Sequence, residues 1–307
     1  RELRIELANA GINFQTETDT EIVVLMTQQY IESGLRPIEA AFATLDKLSG
    51  AFALAFLFQG QDDLIIAARK GAPLAVGHGD GEMFIGSDAI ALAPLTDRIT
   101  YLEDGDRAII TRKGAEIHDI NGALANRNIR QIQNDTTHVD KAGHKHFMAK
   151  EIAEQPAVLS NTLKYYLTES NQILLPGSSI DFTAFDRITM VACGTAFYAC
   201  MTAKYWFEQV ARLPVEIDVA SEYRYREPPV PARTLAIFVS QSGETADTLA
   251  ALRYCKGKAD KIVSIINVPE SSIARESNLS LPIHAGIEVG VASTKAFTCQ
   301  LSVLFIL

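Results

Sequence analysis

The chain has 307 residues, 48% of them hydrophobic and 21% charged, which suits a globular protein with length for two domains. A formal net charge of -9 leaves no basic footprint and excludes nucleic acid as an expected partner. No secretory signal or membrane span is visible, the apolar stretch from Gln300 to Leu307 being too short to cross a bilayer, so a cytoplasmic protein that engages no membrane is expected. Four cysteines, Cys193, Cys200, Cys255 and Cys299, lie in apolar contexts without a CxxC pair or metal-ligand spacing, as reduced buried thiols do.

In chain order, Arg1 to Leu7 already has helical periodicity with no initiator Met, and Val303 to Leu307 stops inside an apolar run; both ends read as cuts in a longer protein. Thr16-Glu17-Thr18-Asp19-Thr20-Glu21 precedes a helical apolar pattern at Ile22, Val23, Leu25 and Met26, and Thr18 with Glu21 has the capping-box spacing. From Leu48 to Asp88, short apolar runs separated by Gly and Asp turns predict a sheet-rich α+β half-domain. Asn126 to Lys145 is polar and aperiodic, a linker by composition, whose centre we place at residues 134–141 between domains at 1–133 and 142–307. His144 and His146 lie close together but lack a third and fourth ligand nearby, so no metal site is expected.

The second domain reads as α/β. Ile188 to Ala192 predicts a buried strand, Cys193-Gly194-Thr195-Ala196 its turn, and Phe197 to Val210 an apolar-faced helix. Leu235 to Val239 is an unbroken apolar run, as in a parallel-sheet strand buried on both faces. It is followed by Ser240-Gln241-Ser242-Gly243-Glu244-Thr245 and then a helix with Leu249 and Leu252 on its apolar face. A helix start presents unpaired N–H groups and the positive end of the dipole, so this junction suits an anion. Hydroxyls of Ser240, Ser242 and Thr245 add donors, and Gly243 allows close backbone approach. Helix capping by Ser242 or Thr245 is the structural alternative. Lys261 to Asn267 and Leu279 to His284 supply two further strands, and Gly290-Val291-Ala292-Ser293-Thr294-Lys295 opens the last helix, with Lys295 either functional or a snorkelling surface lysine.

These segments carry a family resemblance. SQSGET at 240–245 resembles the phosphosugar loop of SIS (sugar isomerase) domains, whose fold is a parallel sheet flanked by helices. The segment ETDTE at 17–21 resembles a signature of N-terminal-nucleophile glutamine amidotransferases, a glutaminase fold. HFMAKEIAEQP at 146–156, the most specific match, with CGT at 193–195, SEYRYR at 221–226 and GVASTK at 290–295, narrows this to the glutamine:fructose-6-phosphate amidotransferase (isomerizing) family. The resemblance implies that Asp19 binds the ammonium of glutamine, a carboxylate contact that separates an amino acid from a plain amide. It further implies that Cys193, Gly194 and Thr195 touch the sugar, that Ser240, Gln241, Ser242, Gly243 and Thr245 hold its phosphate, and that Val291 and Ser293 meet sugar hydroxyls. SEYRYR reads as packing and interdomain support, and Cys193 as a small polar wall residue rather than the alternative of a nucleophile, since no base is placed near it in sequence. The family forms glucosamine 6-phosphate from glutamine and fructose 6-phosphate, as a homodimer and with no cofactor. Its N-terminal Cys nucleophile and second SIS half have no counterpart here, so no catalytic residue is assigned and the fragment alone is expected to be inactive. A sugar-phosphate isomerase or deglycase, or a non-catalytic sugar-phosphate-binding module, is the alternative.

Overall fold

A computed structural model describes residues 2–131, 141–175, 177 and 179–307. The chain divides into two compact units, residues 1–138 and 139–307. The expected linker at 134–141 lies almost wholly outside the described residues.

In the first unit, helices α1 (Glu2–Asn9), α2 (Asp19–Glu32) and α3 (Pro37–Lys47) precede strands β1 (Phe52–Leu57), β2 (Ile65–Lys70), β3 (Ala75–His78) and β4 (Met83–Gly86). The short helix α4 (Ala89–Leu92) is followed by β5 (Arg98–Tyr101), β6 (Arg107–Thr111), β7 (Gly114–His118) and β8 (Arg130–Gln131). They form two antiparallel sheets, in the orders β1-β2-β6-β7 and β4-β3-β5-β8. Ala67 and Ile110 of the first sheet share one apolar core with Val76 of the second. This is the sheet-rich α+β half-domain expected. Part of the polar stretch read as linker is ordered, because Arg130 and Gln131 pair with Ile99 and Arg98; a two-residue strand is too short to carry a periodicity.

The second unit opens with α5 (Phe147–Tyr166) and is built on β9 (Arg187–Ala192), β10 (Val215–Val219), β11 (Thr234–Ser240), β12 (Lys261–Ile266) and β13 (Leu279–Pro282). All pair in parallel, in the order β10-β9-β11-β12-β13. Between them run α6 (Gly194–Trp206, continued by a π-helical turn to Ala211), α7 (Ala220–Arg226), α8 (Ala246–Cys255) and α9 (Ser272–Glu276), and α10 (Lys295–Ile306) ends the chain. Every residue of β11 is buried, as its apolar run requires in a central strand covered on both faces. Alternation along it sends Leu235, Ile237 and Val239 to one core with α6 and α10, and Ala236 and Phe238 to the other with α7 and α8. The unit is therefore a three-layer α/β/α fold. Within it, SEYRYR packs α7 onto its neighbours, with Arg224 Nη1 2.8 Å from Asp247 Oδ1 of α8 and the Tyr223 hydroxyl 3.3 Å from Cys255 Sγ.

Among the described residues, no helix is long and apolar enough to cross a membrane. Cys200, Cys255 and Cys299 are free and buried as expected; Cys193 departs from that expectation and is partly exposed, because it lies just past the C-terminal end of β9, in the turn into α6.

Candidate functional site

The strand order puts a topological switch point between β9 and β11, because the chain leaves β9 for β10 on one side and returns to β11 on the other. Open parallel sheets bind ligands beyond the C-terminal ends of such strands. Val239 pairs with Ala192, so the two small-residue turns picked out in the sequence, residues 193–195 and 240–245, emerge side by side.

The second of these turns is internally tied. The buried Ser240 hydroxyl accepts the Gly243 N–H at 3.0 Å and lies 2.9 Å from Thr245 Oγ1. Ser242 Oγ accepts the Glu244 N–H at 3.1 Å. Thr245 is the N-terminal flanking residue of α8, yet its hydroxyl is directed to Ser240 and no side chain caps the helix. Capping therefore does not account for Thr245, and the first N–H groups of α8 keep their capacity to bind an anion. Gly243 has φ +66°, and a Cβ there would lie 2.0 Å from Ser271 Oγ, so the position demands glycine twice over. Gln241 accepts the Asn267 N–H through its carbonyl at 3.0 Å, while its side-chain Nε2 is buried without a partner among the described residues. A buried unpaired donor beside a helix start is what an incoming oxygen ligand would satisfy.

In the neighbouring turn, Cys193 flanks α6, Gly194 is exposed and Thr195 half-buried. Cys193 Sγ lies 4.0 Å from Thr248 Oγ1, a hydroxyl and no base, which suits a wall residue better than a nucleophile.

A third segment, residues 284–295, is joined to these turns by a residue that sequence reasoning missed. Asn267, just past β12, accepts the Ala285 N–H at 2.9 Å and donates to the Gly286 carbonyl at 2.6 Å, while its own N–H holds Gln241. Further along, Glu288 gathers the start of α10, accepting the Thr294 N–H at 2.8 Å and the Ser293 hydroxyl at 2.9 Å. Ser293 is thus engaged within the protein, and Val291 is fully exposed. Lys295 is not a snorkelling surface lysine. It is 4% exposed, with Nζ 2.7 Å from Glu154 Oε2.

The HFMAKEIAEQP segment acts through these same contacts. On α5, Glu151 accepts the Val289 and Gly290 N–H groups at 2.6 and 3.0 Å, Glu154 pairs with Lys295, and Gln155 Oε1 accepts the Thr298 hydroxyl at 2.5 Å. Glu151, Glu154 and Gln155 have the i, i+3, i+4 spacing of one helix face, the signal from which the contact was readable. Pro156 interrupts the helix ladder, and Gln155 Nε2 takes the Ile152 carbonyl that Pro156 leaves without its usual donor, at 3.2 Å.

In the first unit, Asp19 is the first residue of α2 and lines a cleft of about 670 Å³ with Lys47, Ser49 and Phe52. It is exposed, and its described side-chain partner is the Thr20 hydroxyl at 3.5 Å. The expected capping box of Thr18 and Glu21 does not form. The Glu21 carboxylate instead accepts the N–H groups of Gln15 and Thr16, at 2.6 and 2.9 Å, and the Thr16 hydroxyl. The preceding turn brings those three donors within reach, and their hydrogen bonds hold Glu21 below the usual carboxylate pKa. No cluster that could hold a metal ion occurs among the described residues.

A glutamine amidotransferase domain model matches residues 1–94, and an SIS domain model matches residues 182–307. The chain is 57% identical over 304 residues, 99% of its length, to the glutamine–fructose-6-phosphate aminotransferase (isomerizing) of Brucella abortus, and 56% identical over 309 residues to that of Bradyrhizobium diazoefficiens. It spans about half the length of these relatives, 50% and 51%. The C-terminal domain of glucosamine-fructose-6-phosphate aminotransferase from Francisella tularensis superposes with a TM-score of 0.53 at 46% identity, covering 55% of this chain and 48% of that one.

Proposed function

We propose, for a chain that belongs to the glutamine–fructose-6-phosphate aminotransferase family and carries its glutamine amidotransferase and SIS segments, that the whole protein moves the amide nitrogen of glutamine onto fructose 6-phosphate. The products are glucosamine 6-phosphate and glutamate. Residues 1–133 contribute to the glutamine side and residues 142–307 to the sugar-phosphate side. The observation that carries the reading is the pair of turns at the β9–β11 switch point, one of them an uncapped helix start edged by three hydroxyls.

In this reading the phosphate lies over the start of α8, receiving backbone N–H groups and the hydroxyls of Ser240, Ser242 and Thr245, with Gln241 Nε2 as a further donor and Gly243 permitting the approach. Charge-assisted bonds of this kind contribute about 1.5–3 kcal/mol each. Cys193, Gly194 and Thr195 face the sugar from the neighbouring strand end, and Val291 and Ser293 approach it from the third segment. Asp19 stands on the wall of the first-unit cleft, where its carboxylate is available to an ammonium group.

The test is to supply the full-length protein with glutamine and fructose 6-phosphate and assay for glucosamine 6-phosphate. Product is expected, and D19A should raise KM for glutamine while sugar-phosphate binding stays intact. No product from a folded full-length protein would refute the reading, and an unchanged KM would remove Asp19 from it.

A further inference from the structure

We infer that Glu244 is a positioning residue with two opposed effects: its carboxylate braces the phosphate loop against α9, and its negative charge weakens the hold on the phosphorylated ligand. The inference rests on the phosphate-loop reading above and extends it to a residue that touches no ligand there.

Glu244 stands inside the six-residue loop, next to Thr245, yet is only 7% exposed. Its Oε1 accepts the Ser272 N–H at 2.7 Å, and beside it the Gly243 carbonyl accepts the Ile273 N–H at 3.0 Å. Gly243 rests against the Ser271 side chain, which is itself 1% exposed. Three successive residues, Ser271, Ser272 and Ile273, therefore support Gly243 and Glu244. The brace fixes the left-handed turn at Gly243, and with it the direction of the Ser240 and Thr245 hydroxyls.

The second effect follows from what the carboxylate lacks. Oε2 is buried with no hydrogen-bond partner among the described residues, and none of the described ion pairs includes Glu244. A buried charge without a counter-ion keeps its field, which water would otherwise screen, and that field reaches a phosphate on the same loop. A neutral group at this place would hold the loop equally well. The carboxylate lowers the loop's affinity for phosphate and so favours release of a phosphorylated product.

The two effects separate on substitution. Glutamine at 244 keeps the acceptor for the Ser272 N–H and the side-chain shape but removes the charge, whereas alanine removes both. Titration calorimetry on the full-length protein, with fructose 6-phosphate, inorganic phosphate and fructose as probes, reads them. E244Q should bind fructose 6-phosphate and inorganic phosphate about three- to tenfold more tightly than wild type, with fructose unchanged. E244A should bind fructose 6-phosphate about tenfold more weakly, since a buried N–H loses its acceptor and the loop loses its brace. A purely structural role would lower the melting temperature of both variants without tightening either. E244Q that binds the phosphates no better than wild type overturns the inference, as does E244Q that fails to fold. Wild type that binds fructose as tightly as fructose 6-phosphate overturns the phosphate-loop reading itself, and the inference with it.

Discussion

Replacing Gly243 by alanine tests the loop's geometry with a single methyl group. At φ +66° an L-residue pays a steric penalty of about 1–2 kcal/mol. The added Cβ would also meet Ser271 Oγ at 2.0 Å and Ser271 Cβ at 2.5 Å. These are atoms of a buried short side chain with little freedom to move aside, and overpacking of this sort costs about 1–3 kcal/mol. The sum is about 2–5 kcal/mol, which in a unit of this size lowers Tm by about 4–20 °C. The assay is thermal unfolding of wild type, G243A, S271G and the double variant. S271G removes both obstructing atoms but leaves the backbone strain, so the double variant should recover about 1–3 kcal/mol beyond additivity. G243A within about 0.5 kcal/mol of wild type, or a cycle with no coupling, would refute the argument that Ser271 closes this position.

Two further outcomes follow from the same contacts. S242A or T245A should weaken glucose 6-phosphate and fructose 6-phosphate alike, by about tenfold to a hundredfold in Kd, whereas T195A should change the preference between sugars more than the phosphate affinity; equal effects of all three would remove the distinction between the turns. For Glu154, burial alone would push the carboxyl pKa up, but the Lys295 hydrogen bond and the charges of Lys295 and Lys150 outweigh it and hold the group below its ordinary value. A lowered folded pKa gives stability that is fully present above the unfolded value of about 4.3 and is lost as pH falls through the folded pKa. The gap in melting temperature between wild type and E154Q, present at neutral pH, should therefore narrow as pH falls below the unfolded value; a gap that stays constant on acidification would show that the pair's charge is not its contribution.

What the sequence disclosed was what local chemistry decides. The β11 run, Leu235 to Val239, suited a strand covered on both faces, which it is, and the hydroxyl cluster follows directly at that strand's end. Two turns of this kind pointed to one edge of the sheet before any register was known, and the pairing of Val239 with Ala192 brings them side by side. Contacts over long sequence separations were not disclosed. Thr18 and Glu21 had the right spacing for a capping box, but Glu21 found stronger donors in the turn at Gln15 and Thr16. Lys295 looked equally suited to surface or interior because its partner, Glu154, lies on a helix far back in the chain. Asn267 carries no pattern at all, and its role follows only from three backbone groups that the folded chain brings to it.

The placement of the acidic residues bears on how a chain of net charge -9 could accommodate the proposed anion site. Glu151 and Glu288 would each repel a phosphate if they faced it. Both are engaged by N–H groups of the surrounding loops, Val289 and Gly290 for Glu151 and Thr294 for Glu288, whereas Glu244 accepts the Ser272 N–H with one oxygen and keeps the other without a partner among the described residues, so that its repulsion remains. Carboxylates thus stiffen the loops, while the N–H groups of α8 and the neutral hydroxyls of Ser240, Ser242 and Thr245 lie at the strand end. An anion site assembled from dipoles, with no cation in the loop itself, should be less sensitive to salt than one made from exposed lysines, because its charges are fixed at short range and partly shielded from solvent.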